Sequence, residues 1–238
     1  RDVLQPDASA EQIRQVKALF AQYDVRPDCG ATGNDFTAGS ATDVRESLDR
    51  VKRAADIAAA LGVKVLRIFA GFTSDSLVYG ERFDRALEAL QLAAEHVRGT
   101  GVRLAIETHG GVAATGDVLH HSATVTTRID TMRKLLESLP AAEIGMNYDP
   151  ANLAAVGDAA PERWFGLFRD RIVLVHLKDF RDVPGGIVPA GCGEGRLDWK
   201  ALPAVLKEYD GPALIEYELP ADVEDGLRRS LRFLKQNQ

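Results

Sequence analysis

Four ionisable residues directly follow short strand-like segments of the chain. They are Glu107 after residues 104–106, Asp149 after 146–148, His176 after 173–175 and Glu216 after 213–215. Functional sites of parallel α/β folds lie at the carboxyl ends of the strands, and the alternation of side chains predicts that all four face the interior. Three carboxylates and one imidazole form a ligand set for a divalent cation, and Mn, Mg, Co and Zn are all compatible with it.

Ion pairing is the alternative explanation for these residues. Arg67, Arg103 and Lys178 are the cations that could neutralise them. Ionisable groups buried at strand ends without any partner would be strongly unfavourable, so either a metal ion or a cationic side chain must satisfy them. For a single residue, ion pairing explains the sequence as well as metal binding does. Four residues at equivalent strand positions favour a metal site.

Strand-like and helix-like segments alternate along the whole chain, which predicts an α/β fold. We expect seven strands and eight helices in one domain over residues 1–238. The expected strands are 25–30, 63–70, 102–106, 144–148, 172–177, a very short one at 187–189, and 213–215. Most are near-continuous apolar runs, typical of parallel strands, so an open doubly wound sheet and a (β/α)8 TIM barrel both fit. The first element is a helix, so a barrel would lack its first strand in this chain, and a segment before Arg1 would supply it.

The composition excludes several classes of protein. The 238 residues include 29 Lys and Arg against 35 Asp and Glu, a net charge of −6, which argues against a nucleic-acid-binding protein. No apolar stretch reaches the roughly 18 residues of a transmembrane helix. Cys29 and Cys192 lie far apart and are expected to be reduced thiols. A cytoplasmic location is the default expectation, although a cleaved export leader would also explain a chain that begins at Arg1.

Five sequence segments carry a resemblance to a known family. They are IETHGG (106–111), NYDPAN (147–152), VHLKD (175–179), GCGEGRLDW (191–199) and IEYE (215–218). In this order they resemble the xylose isomerase-like TIM-barrel superfamily, which contains sugar phosphate isomerases and epimerases and is related to apurinic-site endonucleases. The resemblance covers essentially the whole chain and implies a (β/α)8 barrel. It implies as metal ligands Glu107, Asp149, His176 and Glu216, and as substrate-binding residues Arg67 and Lys178.

The resemblance also implies a reaction. In the isomerase and epimerase members two metal-bound glutamates face the substrate from opposite sides, and these would be Glu107 and Glu216. The metal polarises a carbonyl, one glutamate removes the adjacent proton, and the other returns a proton to the enediolate. We therefore expect a sugar or polyol isomerase or epimerase. If a leaving group lies β to the carbonyl the carbanion expels it, so the alternative is a lyase, such as an inosose or dehydroshikimate dehydratase or a keto-glycoside eliminase.

Two further functions fit the sequence less well. An apurinic-site endonuclease would need a basic face and a histidine-rich zinc cluster, but the chain has only five histidines and a net charge of −6. A binding protein without catalysis is disfavoured by the complete set of ligands. Since no phosphate cradle is recognisable, the expected partner is a small, non-phosphorylated sugar or cyclic polyol. Homo-oligomers are common in the family.

Two positions near the expected site have more than one interpretation. His109, two residues after Glu107, could hydrogen-bond the substrate or act as an acid or base, and a solvated loop histidine is an equal alternative. Glu218 competes with Glu216 for the fourth ligand position, and Glu216 is favoured because it directly ends the apolar run.

Three other residues also lie near the site in sequence. His120 and His121 lie in the expected loop over residues 108–126, either as a polar surface pair or as part of a lid. Asn152 is expected to cap the helix after residue 149.

Overall fold

A parallel sheet of six strands forms the centre of the protein. The computed structural model describes residues 4–237, and the side chains in that range other than those of residues 203–205 and 220. The six strands are β1 (Cys29–Ala31), β2 (Val65–Ile68), β3 (Arg103–Glu107), β6 (Ile144–Tyr148), β7 (Ile172–Leu177) and β10 (Ala213–Ile215). They lie side by side in chain order, and every neighbouring pair is parallel.

Eight helices accompany these strands. They are α1 (Ala10–Gln22), α2 (Ala41–Leu61), α3 (Glu81–Val97), α4 (Ile129–Glu137), α5 (Pro150–Ala155), α6 (Arg163–Phe168), α7 (Ala201–Leu206) and α8 (Val223–Gln236). The main hydrophobic core lies between helices and sheet, where Leu104 and Met146 are fully buried together with Leu90 of α3. A capping box is present at the start of α1, where Ser9 and Gln12 exchange hydrogen bonds.

The opposite face of the sheet is concave. Val65 of β2 and Val173 of β7 belong to one buried cluster with Ala105 and Leu174, although two strands lie between β2 and β7. Such contact requires the sheet to curl, because neighbouring strands are only about 4.8 Å apart. The curled sheet is that of an incomplete barrel, with β1 and β10 at its two edges within the described residues.

A second, antiparallel sheet lies beyond the carboxyl ends of the parallel strands. It contains β4 (Gly111–Thr115), β5 (Val118–Ser122), β8 (Asp179–Val183) and β9 (Gly186–Ala190), in the order β4-β5-β9-β8. Hairpin β4–β5 follows β3, and hairpin β8–β9 follows β7. One residue pair, Leu119 with Ile187, joins the two hairpins.

This second sheet corrects two expectations. The predicted loop over residues 108–126 contains a hairpin, and the predicted very short strand at 187–189 belongs to the antiparallel sheet. The hairpin was missed because four of the five residues of β4 are exposed, so the strand shows no apolar alternation. The local signal was Gly116–Asp117, a two-residue hairpin turn in which Gly116 has a φ of 62°. No helix among residues 4–237 is long and apolar enough to cross a membrane.

Candidate functional site

Four neighbouring strands bring the four predicted ligands together. Glu107 is the last residue of β3, Asp149 follows β6, His176 lies in β7 and Glu216 follows β10. One ligand atom from each residue lies within 4.8 Å of the others. Glu107, Asp149 and His176 are almost completely buried, whereas Glu216 is partly exposed at the rim. We call these four residues the ligand cluster.

The ligand cluster fits a divalent cation. His176 Nδ1 lies 3.2 Å from Glu216 Oε2, 3.7 Å from Asp149 Oδ2 and 3.8 Å from Glu107 Oε1. Neither His176 Nδ1 nor Glu107 Oε2 makes an aligned hydrogen bond, although both atoms are buried. Buried polar atoms without an aligned hydrogen bond are rare, and these two lie within a set of oxygen and nitrogen donors that suits a metal ion.

The close packing of these groups changes their pKa values. Burial raises the pKa of Glu107 to about 7, although His176 and Arg67 act in the opposite direction. Burial alone would lower the pKa of His176, but the Asp149 and Glu216 carboxylates outweigh it and raise the pKa to about 10. Burial also opposes ionisation of Glu216, yet Lys178 and His176 hold its pKa well below the ordinary value. In the metal-free protein His176 is therefore protonated at neutral pH, and Glu107 is about half protonated.

Asn152 connects two members of the ligand cluster, which the sequence did not predict. Its side-chain Nδ2 donates hydrogen bonds of 3.0 Å to Glu107 Oε1 and of 3.0 Å to Asp149 Oδ2. The expected helix cap is instead Asp149, whose Oδ1 accepts from the backbone N–H of Asn152 at 2.9 Å. The signal was the Asp-Pro pair at 149–150, which marks a helix start and directs the side chain at 152 back to the cap.

Two cations flank the ligand cluster. Arg67 Nε lies 3.0 Å from Glu107 Oε2, and its Nη1 donates to the carbonyl oxygen of Thr32. Lys178 is 2% exposed, and its Nζ lies 3.0 Å from Glu216 Oε2 and 2.9 Å from Glu218 Oε2. Both cations that were expected to bind substrate are thus paired with carboxylates here.

Three other candidate residues, Glu218, Arg103 and His109, lie outside the ligand cluster. Glu218 is 38% exposed and contacts Lys178 from outside the ligand cluster, whereas Glu216 belongs to the cluster. Arg103, a proposed ion-pair partner of the ligands, donates instead to the carbonyl oxygen of Ala141. His109 lies beside the cluster, where burial and Lys178 lower its pKa to about 4, so its imidazole is neutral at pH 7.

Asp179 explains the glycine-rich segment over residues 191–199. Its carboxylate accepts hydrogen bonds from the backbone N–H groups of Gly195 and Leu197 and from Trp199 Nε1. A Cβ atom at Gly195 would lie 2.2 Å from Asp179 Oδ1, so only glycine allows this close approach. The segment is therefore a turn held against β8.

The whole sequence matches one family. The match is to the xylose isomerase-like TIM barrel family, over residues 2–237. The chain belongs to this family. No curated protein matches the sequence.

Solved structures of the same fold resemble this xylose isomerase-like chain. D-allulose 3-epimerase from Methylomonas sp., in complex with D-allulose, has a TM-score of 0.77 and 16% identity, covering 100% of this chain and 85% of that one. The probable 3-DHS dehydratase AsbF from Bacillus anthracis has a TM-score of 0.75 and 14% identity, covering 95% and 82%. A xylose isomerase-like TIM barrel protein from Mycobacterium smegmatis, in complex with magnesium, has a TM-score of 0.72 and 15% identity, covering 98% and 79%. At these identities the likeness establishes the fold.

Proposed function

We propose that this protein is a divalent-metal-dependent isomerase or epimerase of a sugar or polyol. The observation that carries the proposal is the order of the ligand cluster along the sheet, β3-β6-β7-β10. Glu107 and Glu216 are the outer members, with Asp149 and His176 between them. A small substrate held at the cluster would have one carboxylate on each side, which is the arrangement that proton removal and proton return require.

The residues of the ligand cluster would have separate catalytic roles. A divalent ion held by the cluster would supply Lewis acidity to the substrate carbonyl. Glu107, the outer carboxylate at the β3 end of the cluster, would accept the proton next to that carbonyl. Glu216 Oε2, held by Lys178 Nζ at 3.0 Å, would exchange the proton at the other side of the enediolate.

Three further residues complete the proposed substrate site. Arg67 borders the cluster at its Glu107 end and Lys178 at its Glu216 end. The guanidinium of Arg67 and the ammonium of Lys178 can donate hydrogen bonds to substrate hydroxyls. The neutral imidazole of His109 would provide a third hydrogen-bonding group. The similar D-allulose 3-epimerase in complex with D-allulose supports an uncharged sugar as the ligand.

The lyase alternative uses the same first step. Elimination differs from isomerisation in the second step, because it needs an acid that protonates the leaving group. Lys178 is the nearest ammonium, but Asp149, Glu216 and Glu218 outweigh its burial and raise its pKa above the ordinary value. A lysine with a raised pKa is a weak acid, so we favour proton return over elimination.

Elemental analysis of the purified protein tests the metal centre. We expect about one divalent ion per chain in the wild type and in the control Glu224→Gln, which changes an exposed carboxylate of α8. Glu107→Gln and His176→Ala should lose the ion, because each removes one of four ligands. Retention of the ion in both variants would contradict the assignment.

Incubation with ketohexoses in deuterium oxide tests the reaction. We expect an epimerised or isomerised sugar that carries deuterium, with a rate reduced about 100-fold or more in Glu216→Gln, as for loss of a general acid or base. Release of water or of an aglycone from 3-keto substrates without any isomerised sugar would establish the lyase instead.

A further inference from the structure

An arc of five rings lies beside the ligand cluster, in the order Phe72, Phe69, His109, His121 and Phe180. The centroid distances between successive rings are 4.7, 5.1, 6.3 and 5.2 Å. Phe69 follows β2, His109 follows β3, and the last two rings come from the antiparallel sheet. The arc therefore forms a continuous wall that the two hairpins complete.

Two rings of the arc, Phe69 and Phe180, contact the two cations of the site. The Arg67 guanidinium lies 4.2 Å from the centroid of the Phe69 ring, and Lys178 Nζ lies 5.1 Å from that of Phe180. Because Arg67 contacts Glu107 and Lys178 contacts Glu216, the wall runs along the whole ligand cluster from one outer glutamate to the other.

His121 is the member of the arc with unused hydrogen-bonding capacity. Both of its ring nitrogens are buried, and neither has a hydrogen-bond partner among the residues that the structure describes. Burying an imidazole in this way is unfavourable unless a partner can be acquired. Burial also lowers the pKa of His121 to about 4, so a polar, uncharged partner suits it.

The charges of the site determine which ligands it favours. Four carboxylates, those of Glu107, Asp149, Glu216 and Glu218, face two cations, Arg67 and Lys178. A divalent ion would balance the two remaining negative charges, so the loaded site has no positive charge left for a phosphate or a carboxylate. Binding an anion there would lack the paired cation that burial of charge requires.

We propose that the ring arc holds the apolar face of an uncharged sugar or polyol and that His121 is a specificity-determining residue that hydrogen-bonds one of its hydroxyl groups. The inference rests on the proposed function, because it concerns the substrate of the same ligand cluster. It excludes phosphorylated sugars and carboxylate-bearing rings as good substrates.

Equilibrium binding to the metal-loaded protein tests this proposal. The probes are D-allulose, D-fructose, D-tagatose and myo-inositol, and the 6-phosphates of the first two, measured by titration calorimetry. The test variant is His121→Phe, which keeps the ring and deletes the nitrogens. The matched control is His120→Phe, because His120 is the exposed neighbour of His121 on β5.

We expect at least one neutral probe to bind about tenfold or more tightly than the phosphates. His121→Phe should weaken that binding about tenfold, the effect of one lost hydrogen bond, while His120→Phe stays within about twofold. Because the deleted nitrogens have no partner in the folded protein, the melting temperature of His121→Phe should equal or exceed that of the wild type.

Tighter binding of the phosphates, binding of no neutral probe, or equal affinity of the two phenylalanine variants would overturn the inference. A lower melting temperature in His121→Phe alone would show a structural role instead. The proposed function is tested by a different measurement, the elemental analysis, and it is contradicted if Glu107→Gln and His176→Ala keep their metal. The two failures are therefore distinguishable.

Discussion

Metal binding by this protein should depend steeply on pH. An ion must displace the protons held by Glu107 and His176, whose pKa values are raised to about 7 and about 10. At pH 6 nearly two protons must leave, whereas at pH 8 Glu107 is already ionised and only the proton of His176 remains. Proton competition with these two pKa values predicts that the apparent affinity for a divalent ion rises about 1000-fold from pH 6 to pH 8.

Glu107→Gln isolates the contribution of one of the two protons, when its weakened site is titrated with metal concentrations well above those that the protein retains through purification. With only His176 left to titrate, the affinity should rise about 100-fold over the same interval instead of about 1000-fold. Titration calorimetry in two buffers of different ionisation enthalpy measures both the affinity and the number of protons released. Glu224→Gln, which lies outside the site, should behave as the wild type. An affinity that changes less than about tenfold between pH 6 and pH 8, with no proton release, would refute this reasoning.

Three further predictions concern stability. Folding raises the pKa values of Glu107 and His176, so their contribution to stability is present at low pH. This contribution is lost as the pH rises through about 7 and about 10. The melting temperature of the metal-free protein should therefore fall from pH 6 to pH 9 in thermal scans. Asn152→Leu removes two hydrogen bonds to carboxylates and should lower the free energy of unfolding by about 3 kcal/mol in urea titrations; an unchanged midpoint would contradict the bridging role. Gly195→Ala should destabilise the protein by about 1–3 kcal/mol because the new Cβ collides with Asp179. The control Gly166→Ala, which lies in open space on a helix, should not destabilise it. Equal melting temperatures of the two variants would show that the turn relaxes.

The ligand cluster was predictable because it follows from one rule of parallel sheets. Residues that directly follow neighbouring parallel strands meet at the same edge of the sheet, so strand ends identified from apolar runs were sufficient to bring Glu107, Asp149 and Glu216 together with His176. Strands β6, β7 and β10 have the expected bounds for the same reason. The attachment of the glycine-rich segment over residues 191–199 to Asp179 is a tertiary contact that the sequence does not predict.

The sequence by itself determined the parallel α/β architecture, the family and the identity of the four clustered residues, because these depend on local hydrophobic patterns and on their order. Only the tertiary structure decided what surrounds the cluster. Asn152 reaches Glu107 across 45 positions of sequence, Lys178 reaches Glu216 across 38, and the hairpins meet through Leu119 and Ile187. These contacts depend on how the sheet curls and on how two hairpins fold back over its edge, and no local pattern of residues encodes either.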